Sequence, residues 1–249
     1  MKNIPLLKLL FLSIILVSCT NTFTSKEEKK EDKILNGKYV SKRKNGKTAK
    51  IEFYKEGKLH GIQEMYNKSG NLQNTISYNE GIRSGKSVVY YDSGNEYRVS
   101  NYENDKINGV RKKYRRNGKL WSVQSYKNSL PINDLVEYTE SGKKKTKPKF
   151  IVSQENKINT EGRYLLKLSV KGTYKNAKYF EGQLDENGCF DTKTAIQVGT
   201  QSNSKGVVSI FIPQNTFYMK THHIIAQVKT HANNNYYIYK KVNVAAESI

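Results

Sequence analysis

The sequence predicts an all-β protein: a single-layer antiparallel sheet of β-hairpin repeats over residues 37–147, then an immunoglobulin-like β-sandwich over residues 148–249. Three observations lead there. Tyrosine and glycine recur at a fixed 24-residue interval through the first half of the chain. Beyond residue 147 that interval stops, and the strand-like runs become longer and more apolar. The composition, with 18 tyrosines, 36% hydrophobic residues and a mean hydropathy of −0.74, suits a thin sheet better than a thick core.

The N-terminal element is an export signal. Lys2 and Lys8 precede an apolar run from Leu9 to Val17, which has signal-peptide length and is too short to span a bilayer. It ends in Leu16-Val17-Ser18-Cys19, which resembles the bacterial lipobox. The resemblance implies cleavage after residue 18 and lipidation of Cys19. Several acyl chains together anchor stably, since each buried methylene contributes about 0.8 kcal/mol. Residues 19–36 then form a tether, because TNTFTSKEEKKEDK (20–33) is too polar to order itself. With Cys19 lipidated, Cys189 has no partner for a disulfide within the monomer, and beside Phe190 it is expected to be a small buried apolar residue.

The repeat domain is legible in VVYYDSGNEY (88–97), two strand-like runs around a turn in which Gly94 can take a positive φ. Steps of 24 residues from it give Tyr66, Tyr90, Tyr114 and Tyr138, with turn glycines Gly46, Gly70, Gly94, Gly118 and Gly142. A second pair of columns runs Tyr54, Tyr78, Tyr102 and Tyr126 with Gly37, Gly61, Gly85 and Gly109. Asn45, Ser69, Ser93, Asn117 and Ser141 precede the turn glycines, as turn chemistry favours. Each unit is therefore two strands and two turns, repeated about five times. Equivalent residues fall two strands apart, about 9.6 Å, so the tyrosines form ladders that bury ring area and keep their hydroxyls wet. Their expected role is structural, with ligand stacking on one ladder as the alternative.

This pattern resembles the bacterial variant of the MORN-repeat family, in which Gly-x-x-x-x-Tyr is followed by x-x-x-Gly. The matching segments are Gly61 to Tyr66 with Gly70, Gly85 to Tyr90 with Gly94, and Gly109 to Tyr114 with Gly118. Lys42 replaces the tyrosine in the first unit and Asn133 the glycine in the last, as expected of capping repeats. The resemblance implies contacts with phospholipid or protein, and bacterial members often carry the label "antitoxin-like".

The sandwich is inferred from KFIVS, RYLLKLSV, AKYFEGQL, GVVSIFIP, HIIAQVKT and YYIYKKVNV, several of which alternate apolar and polar residues. About seven strands joined by Gly, Asn and Asp turns fit two packed sheets, and no Cys…Trp…Cys pattern names a family. The basic stretch 143–149 marks the boundary.

Catalytic and metal motifs are missing from the sequence. His60, His222, His223 and His231 are not at ligand spacing, and the adjacent pair points to opposite faces of a strand. No Gly-x-Ser-x-Gly, His-Glu-x-x-His or phosphate-binding glycine loop occurs. Glu155 with Glu161, and Asp185-Glu186, sit in turn-like contexts, and no acid is visibly paired with a base. The expectation is a non-enzyme with no cofactor and no metal.

One constellation is strongly basic. Lys and Arg number 43 against 22 Asp and Glu, a net charge of +21. Arg111, Lys112, Lys113, Arg115, Arg116 and Lys119 crowd one hairpin around Tyr114, with Trp121 beside it. Lys112 shares a strand face with Tyr114; Arg111, Lys113 and Arg115 share the other. These six are candidate anion-binding residues for headgroups, lipopolysaccharide phosphates or acidic glycans; alternatively they form a solvated surface that deters edge-to-edge aggregation. The expected protein is a non-catalytic, lipid-anchored envelope scaffold that binds a protein or an anionic envelope lipid or glycan, with no nucleic acid as partner. Thr20 and Asn21 carry no inner-membrane retention signal, which favours the outer membrane. Alternatives are an antitoxin-like immunity protein that occludes a cognate toxin, and a glycan-acting enzyme in the sandwich.

Overall fold

The computed structural model describes residues 34–172, 177–201 and 204–249. The expected signal peptide (1–18), the lipidation site Cys19 and the tether up to Lys33 lie outside the described residues.

The chain is all-β, with two antiparallel regions. The first is one twelve-stranded sheet: β1 (Gly37–Lys42), β2 (Thr48–Lys55), β3 (Lys58–Leu59), β4 (Gly61–Tyr66), β5 (Leu72–Asn79), β6 (Ile82–Tyr90), β7 (Glu96–Glu103), β8 (Lys106–Ile107), β9 (Gly109–Tyr114), β10 (Leu120–Lys127), β11 (Leu130–Pro131) and β12 (Val136–Glu137). Its order, β1-β2-β4-β5-β6-β7-β9-β10-β11, is a meander in which chain neighbours are sheet neighbours. The short β3, β8 and β12 pair with β2, β7 and β10.

One turn geometry explains the first glycine column. In Tyr91–Asn95, the Tyr91 N–H donates to the Asn95 carbonyl and the Gly94 N–H to the Tyr91 carbonyl, with Gly94 at φ +86°. The same two bonds close the turns at residues 43–47, 67–71, 115–119 and 139–143. This left-handed position is open to glycine at no steric cost, which fixes the residue type.

The second glycine column marks a bulge. Tyr54 pairs with Leu59 on β3, yet Lys50 pairs with Met65 on β4, so the register slips beside Gly61. The pairing then sets Gly37 against Tyr54, Gly61 against Tyr78, Gly85 against Tyr102 and Gly109 against Tyr126. Each tyrosine of this ladder therefore faces a glycine, and the rings do not crowd one another across the row.

Alternation sorts the remaining side chains. The face bearing this tyrosine ladder also carries Glu52, Gln63, Ser87, Ser100, Lys113, Ser122, Gln124 and Glu137, which are all buried. Several of them bond within the sheet: Gln63 Nε2 donates to Glu52 Oε1 at 2.7 Å, Lys50 Nζ pairs with Glu52 at 2.7 Å, and Arg111 Nε donates to Ser100 Oγ at 3.0 Å. The opposite, open face carries Ile51, Thr75, Val88, Val99, Val123 and Val136 in one row across the strands.

The second region is a sandwich of eight strands: β13 (Lys149–Lys157), β14 (Arg163–Lys171), β15 (Lys178–Glu181), β16 (Ile196–Val198), β17 (Thr200–Gln201), β18 (Lys205–Phe211), β19 (Phe217–Lys229) and β20 (Asn235–Glu247), with one helical turn, α1 (Ile158–Glu161), between β13 and β14. The sheets β13-β14-β18-β17 and β16-β15-β19-β20 enclose Phe150, Leu166, Leu168, Tyr179, Ile224 and Val228. A smaller cluster of Phe180, Phe190, Ile225 and Tyr237 packs on the far side of the second sheet. Cys189, beside it, is 2% exposed, and burial raises its thiol above the ordinary range.

Tyr179 lies between the sheets, 5.7 Å from Phe150 ring to ring, and depends on Gly206 of β18. A Cβ on Gly206 would stand 2.5 Å from Tyr179 Cδ2. The Gly206→Ala variant should therefore lose about 1–3 kcal/mol of stability, the usual cost of overpacking, read as a lower denaturation midpoint at unchanged m-value.

Candidate binding surface of the repeat sheet

The six candidate cations do not form one patch. Lys113 projects from the tyrosine-ladder face and is 5% exposed. Its Nζ donates to the carbonyls of Ala232, at 2.9 Å, and Asn233, at 3.2 Å, in the turn between β19 and β20. One repeat further, Glu137 is 1% exposed; its Oε1 accepts from Thr230 Oγ1 at 2.6 Å and Asn234 Nδ2 at 2.9 Å. The hairpin tip at 230–234 is thus gripped by a cation and an anion two strands apart on the sheet. Lys113 belongs to this dock and has no access to an external anion.

The terminal unit completes the joint. Ile132 forms a bridge with Cys189, and Asn133 N–H donates to the Gly188 carbonyl at 3.0 Å. Leu135 enters the sandwich core. Asn133 thus departs from glycine where the repeat meets the segment between β15 and β16.

Arg111 lies on the same face as Lys113, with its guanidinium 4.4 Å above the Tyr126 ring centre. Lys112, exposed, points to the open face. Arg115, Arg116 and Lys119 belong to the turn at 115–119, so Arg115 does not share a strand face with Arg111 and Lys113. Arg115 stands 5.0 Å from the Trp121 ring centre and Arg116 5.0 Å from that of Tyr91, with Asn117 and Glu140 completing a cleft of about 350 Å³. Sequence reasoning missed Tyr91 and Glu140, which approach Arg116 and Lys119 only through turn stacking across repeats.

That stacking has its own bonds. Arg43 Nη2, Tyr91 Oη and Arg115 Nη2, all just after the repeat tyrosine position, donate to the carbonyls of Tyr66, Tyr114 and Tyr138 at 2.5, 2.9 and 2.7 Å. At the turn's last residue, Lys47, Asn71, Asn95 and Lys119 donate to carbonyls of the next turn at 2.9, 3.1, 2.7 and 3.2 Å. The opposite turns are tied backbone to backbone, as in Gly81 N–H to the Leu59 carbonyl at 2.8 Å.

The tyrosines divide by surroundings. Tyr66 Oη donates to Glu64 Oε2 at 2.5 Å, and this bond raises its hydroxyl to about 12. Tyr102 and Tyr126 lie under Arg83 and Arg111. At these three tyrosines the partners come from the sheet itself.

The expectation that no acid is paired with a base fails at His222. Its Nδ1 lies 3.0 Å from Glu181 Oε1 and its Nε2 2.9 Å from Tyr218 Oη, a chain brought together by the pairing of β15 with β19. Both ring nitrogens are occupied and the side chain is 3% exposed, which describes a satisfied buried histidine closed to substrate. His223 points the other way and bonds Tyr239 Oη. Among the described residues, no group of three or more His, Cys, Asp or Glu side chains is placed to hold a metal ion.

Fold and surface define a β-meander repeat sheet joined to a β-sandwich through a buried polar dock. No protein-family model, curated protein or solved structure matches the chain.

The dock contains a group whose titration should make its stability depend on pH. Burial, reinforced by Arg111 and Arg98, lowers Lys113 to about 8, against a small opposing pull from Glu137. The unfolded chain therefore holds this proton up to higher pH than the folded one, so stability rises with pH between the two values. Relative to Lys113→Met, the wild-type chain should gain stability from pH 8 to about 10.5, measured by denaturant unfolding of both at each pH.

Proposed function

We propose that this protein is a non-catalytic scaffold of a bacterial cell envelope, anchored through Cys19, whose repeat sheet holds an envelope partner. The observation that carries this reading is the distribution of exposed apolar side chains. Val40, Phe53, Ile62, Ile82 and Val110 are each between 39% and 51% exposed, and strand alternation places all five on the open face, away from the hairpin tip of the sandwich. A sheet strapped turn to turn offers that face without reorganisation, and apolar side chains gathered on one side of a surface favour protein contact.

Anchoring rests on the lipobox-like residues before Cys19, with the outer membrane as the favoured site. Cys19→Ala should abolish incorporation of labelled palmitate and move the chain from the membrane to the soluble fraction. Unchanged labelling would sink the anchor.

The partner surface is tested by capture from native envelope extracts with wild-type chain, with Phe53→Glu/Ile62→Glu, and with Arg115→Gln/Arg116→Gln. A partner docked on the open face should be lost from the first variant, by tenfold or more as a rough scale, and kept by the second. Equal retention by both variants would remove the open face from consideration.

A further inference from the structure

The meander has two rows of turns, and their charges differ. The five glycine turns, at 43–47, 67–71, 91–95, 115–119 and 139–143, carry eight Lys and Arg against two carboxylates, Asp92 and Glu140. The opposite turns, at 55–58, 79–82, 103–106 and 127–130, carry four of each sign. Pairing sharpens the contrast. On the opposite edge, Lys58 pairs with Glu80 at 3.4 Å and Asp105 with Arg83 at 2.9 Å. Among the described residues, no cation of the glycine turns is in an ion pair with a carboxylate.

These cations are nonetheless held in place. Arg43, Lys47, Arg115 and Lys119 donate to carbonyls of the next turn, which orients the side chains without cancelling their charge. The third turn has no cation of its own, and Arg116 from the fourth leans over its Tyr91. At the resulting cleft, two guanidiniums stand on aromatic platforms, with Asn117 and Glu140 beside them to take hydroxyl groups.

We propose that the glycine-turn edge binds an acidic polysaccharide lengthwise, with the Arg115–Arg116 cleft as its strongest point. This deepens the scaffold reading and rests on it. Successive turns stand about 9.6 Å apart, close to the length of a disaccharide in an extended glycan, so a polymer with one acid group per disaccharide meets each turn in register. Phosphates in a nucleic-acid strand are more closely spaced, and guanidiniums already cover one face of both rings that bases would stack on. A bilayer presents a plane of charge, whereas these cations form a row.

The test uses the full chain in neutral detergent micelles, with hyaluronate and polygalacturonate as probes, dextran as the uncharged control, and oligo-dT and added phosphatidylglycerol as rival anions. Three variants are compared: Arg115→Gln/Arg116→Gln/Lys119→Gln, then Lys44→Gln/Lys68→Gln, whose side chains make no hydrogen bond among those described, and Lys55→Gln/Lys58→Gln/Lys106→Gln on the opposite edge. At least one acidic glycan should bind the wild type with a salt-dependent affinity that falls about tenfold or more in the first variant. It should fall about two- to threefold in the second and less than about twofold in the third, which loses as many charges as the first. Equal weakening by the first and third variants overturns the proposal in favour of net charge. So does binding of oligo-dT or phosphatidylglycerol that is as tight and as sensitive to the first variant. Failure of both acidic glycans to bind also overturns it, and leaves the scaffold reading to the envelope capture, which depends on the open face.

Discussion

The hydrogen bonds that tie each turn to the next are the constraint on which this architecture depends. A one-layer sheet has no second layer to bury its strands, and ladder bonds alone leave hairpins free to splay at their tips. Here both rows of tips are stapled, by side chains on the glycine-turn edge and by backbone on the other. The staples join residues 21–23 apart in sequence, so an inserted or deleted residue would break two of them at once. That is the physical reason the 24-residue period tolerates no irregularity. It also confines most stabilising contacts to nearest neighbours, the condition for additive, one-dimensional energetics.

The second organising feature is polar. Lys113 and Glu137 occupy the same position in consecutive repeats, and the equivalent residues of the two preceding repeats are Met65 and Val89. A cation and an anion at those sites convert a generic repeat surface into an address for one hairpin tip. Buried charges of this kind contribute little net stability, because desolvation offsets most of the attraction, and their better-attested effect is to fix one arrangement over others. The sandwich is thereby held to one end of the meander in a defined register.

Much of this was legible beforehand, because hairpin chemistry is local. Gly94 needs its left-handed φ for reasons contained in five residues, and a fixed period broadcast that fact five times. The alternating segments after residue 147 exposed one sheet face each, which sufficed for a sandwich. What escaped depends on long-range pairing. Lys113 reads as one more cation of a basic hairpin, and only the approach of residues 230–234, more than a hundred positions later, turns it into a buried donor. His222 likewise meets Glu181 across a strand pair that no local signal announces. Arg115 and Arg116 were singled out by charge density, while their aromatic platforms, Tyr91 in the preceding glycine turn and Trp121 on β10, come from different repeats and gather only when the turns stack.

The two ends of the meander are not equivalent. At the C-terminal end, β10 to β12 are clamped by the dock, by the bridge at Cys189 and by Leu135 in the sandwich core. At the N-terminal end, β1 has one strand neighbour among the described residues and largely exposed side chains. Units of low protection sit where few contacts must open together, so disorder should enter at β1 and advance hairpin by hairpin. Under tension between the N-terminus and a partner gripped further along the sheet, such a molecule would yield by unzipping in short steps, lengthening as load rises while the distal units keep their hold. Force applied at the N-terminal end would thus meet the least-clamped hairpin first.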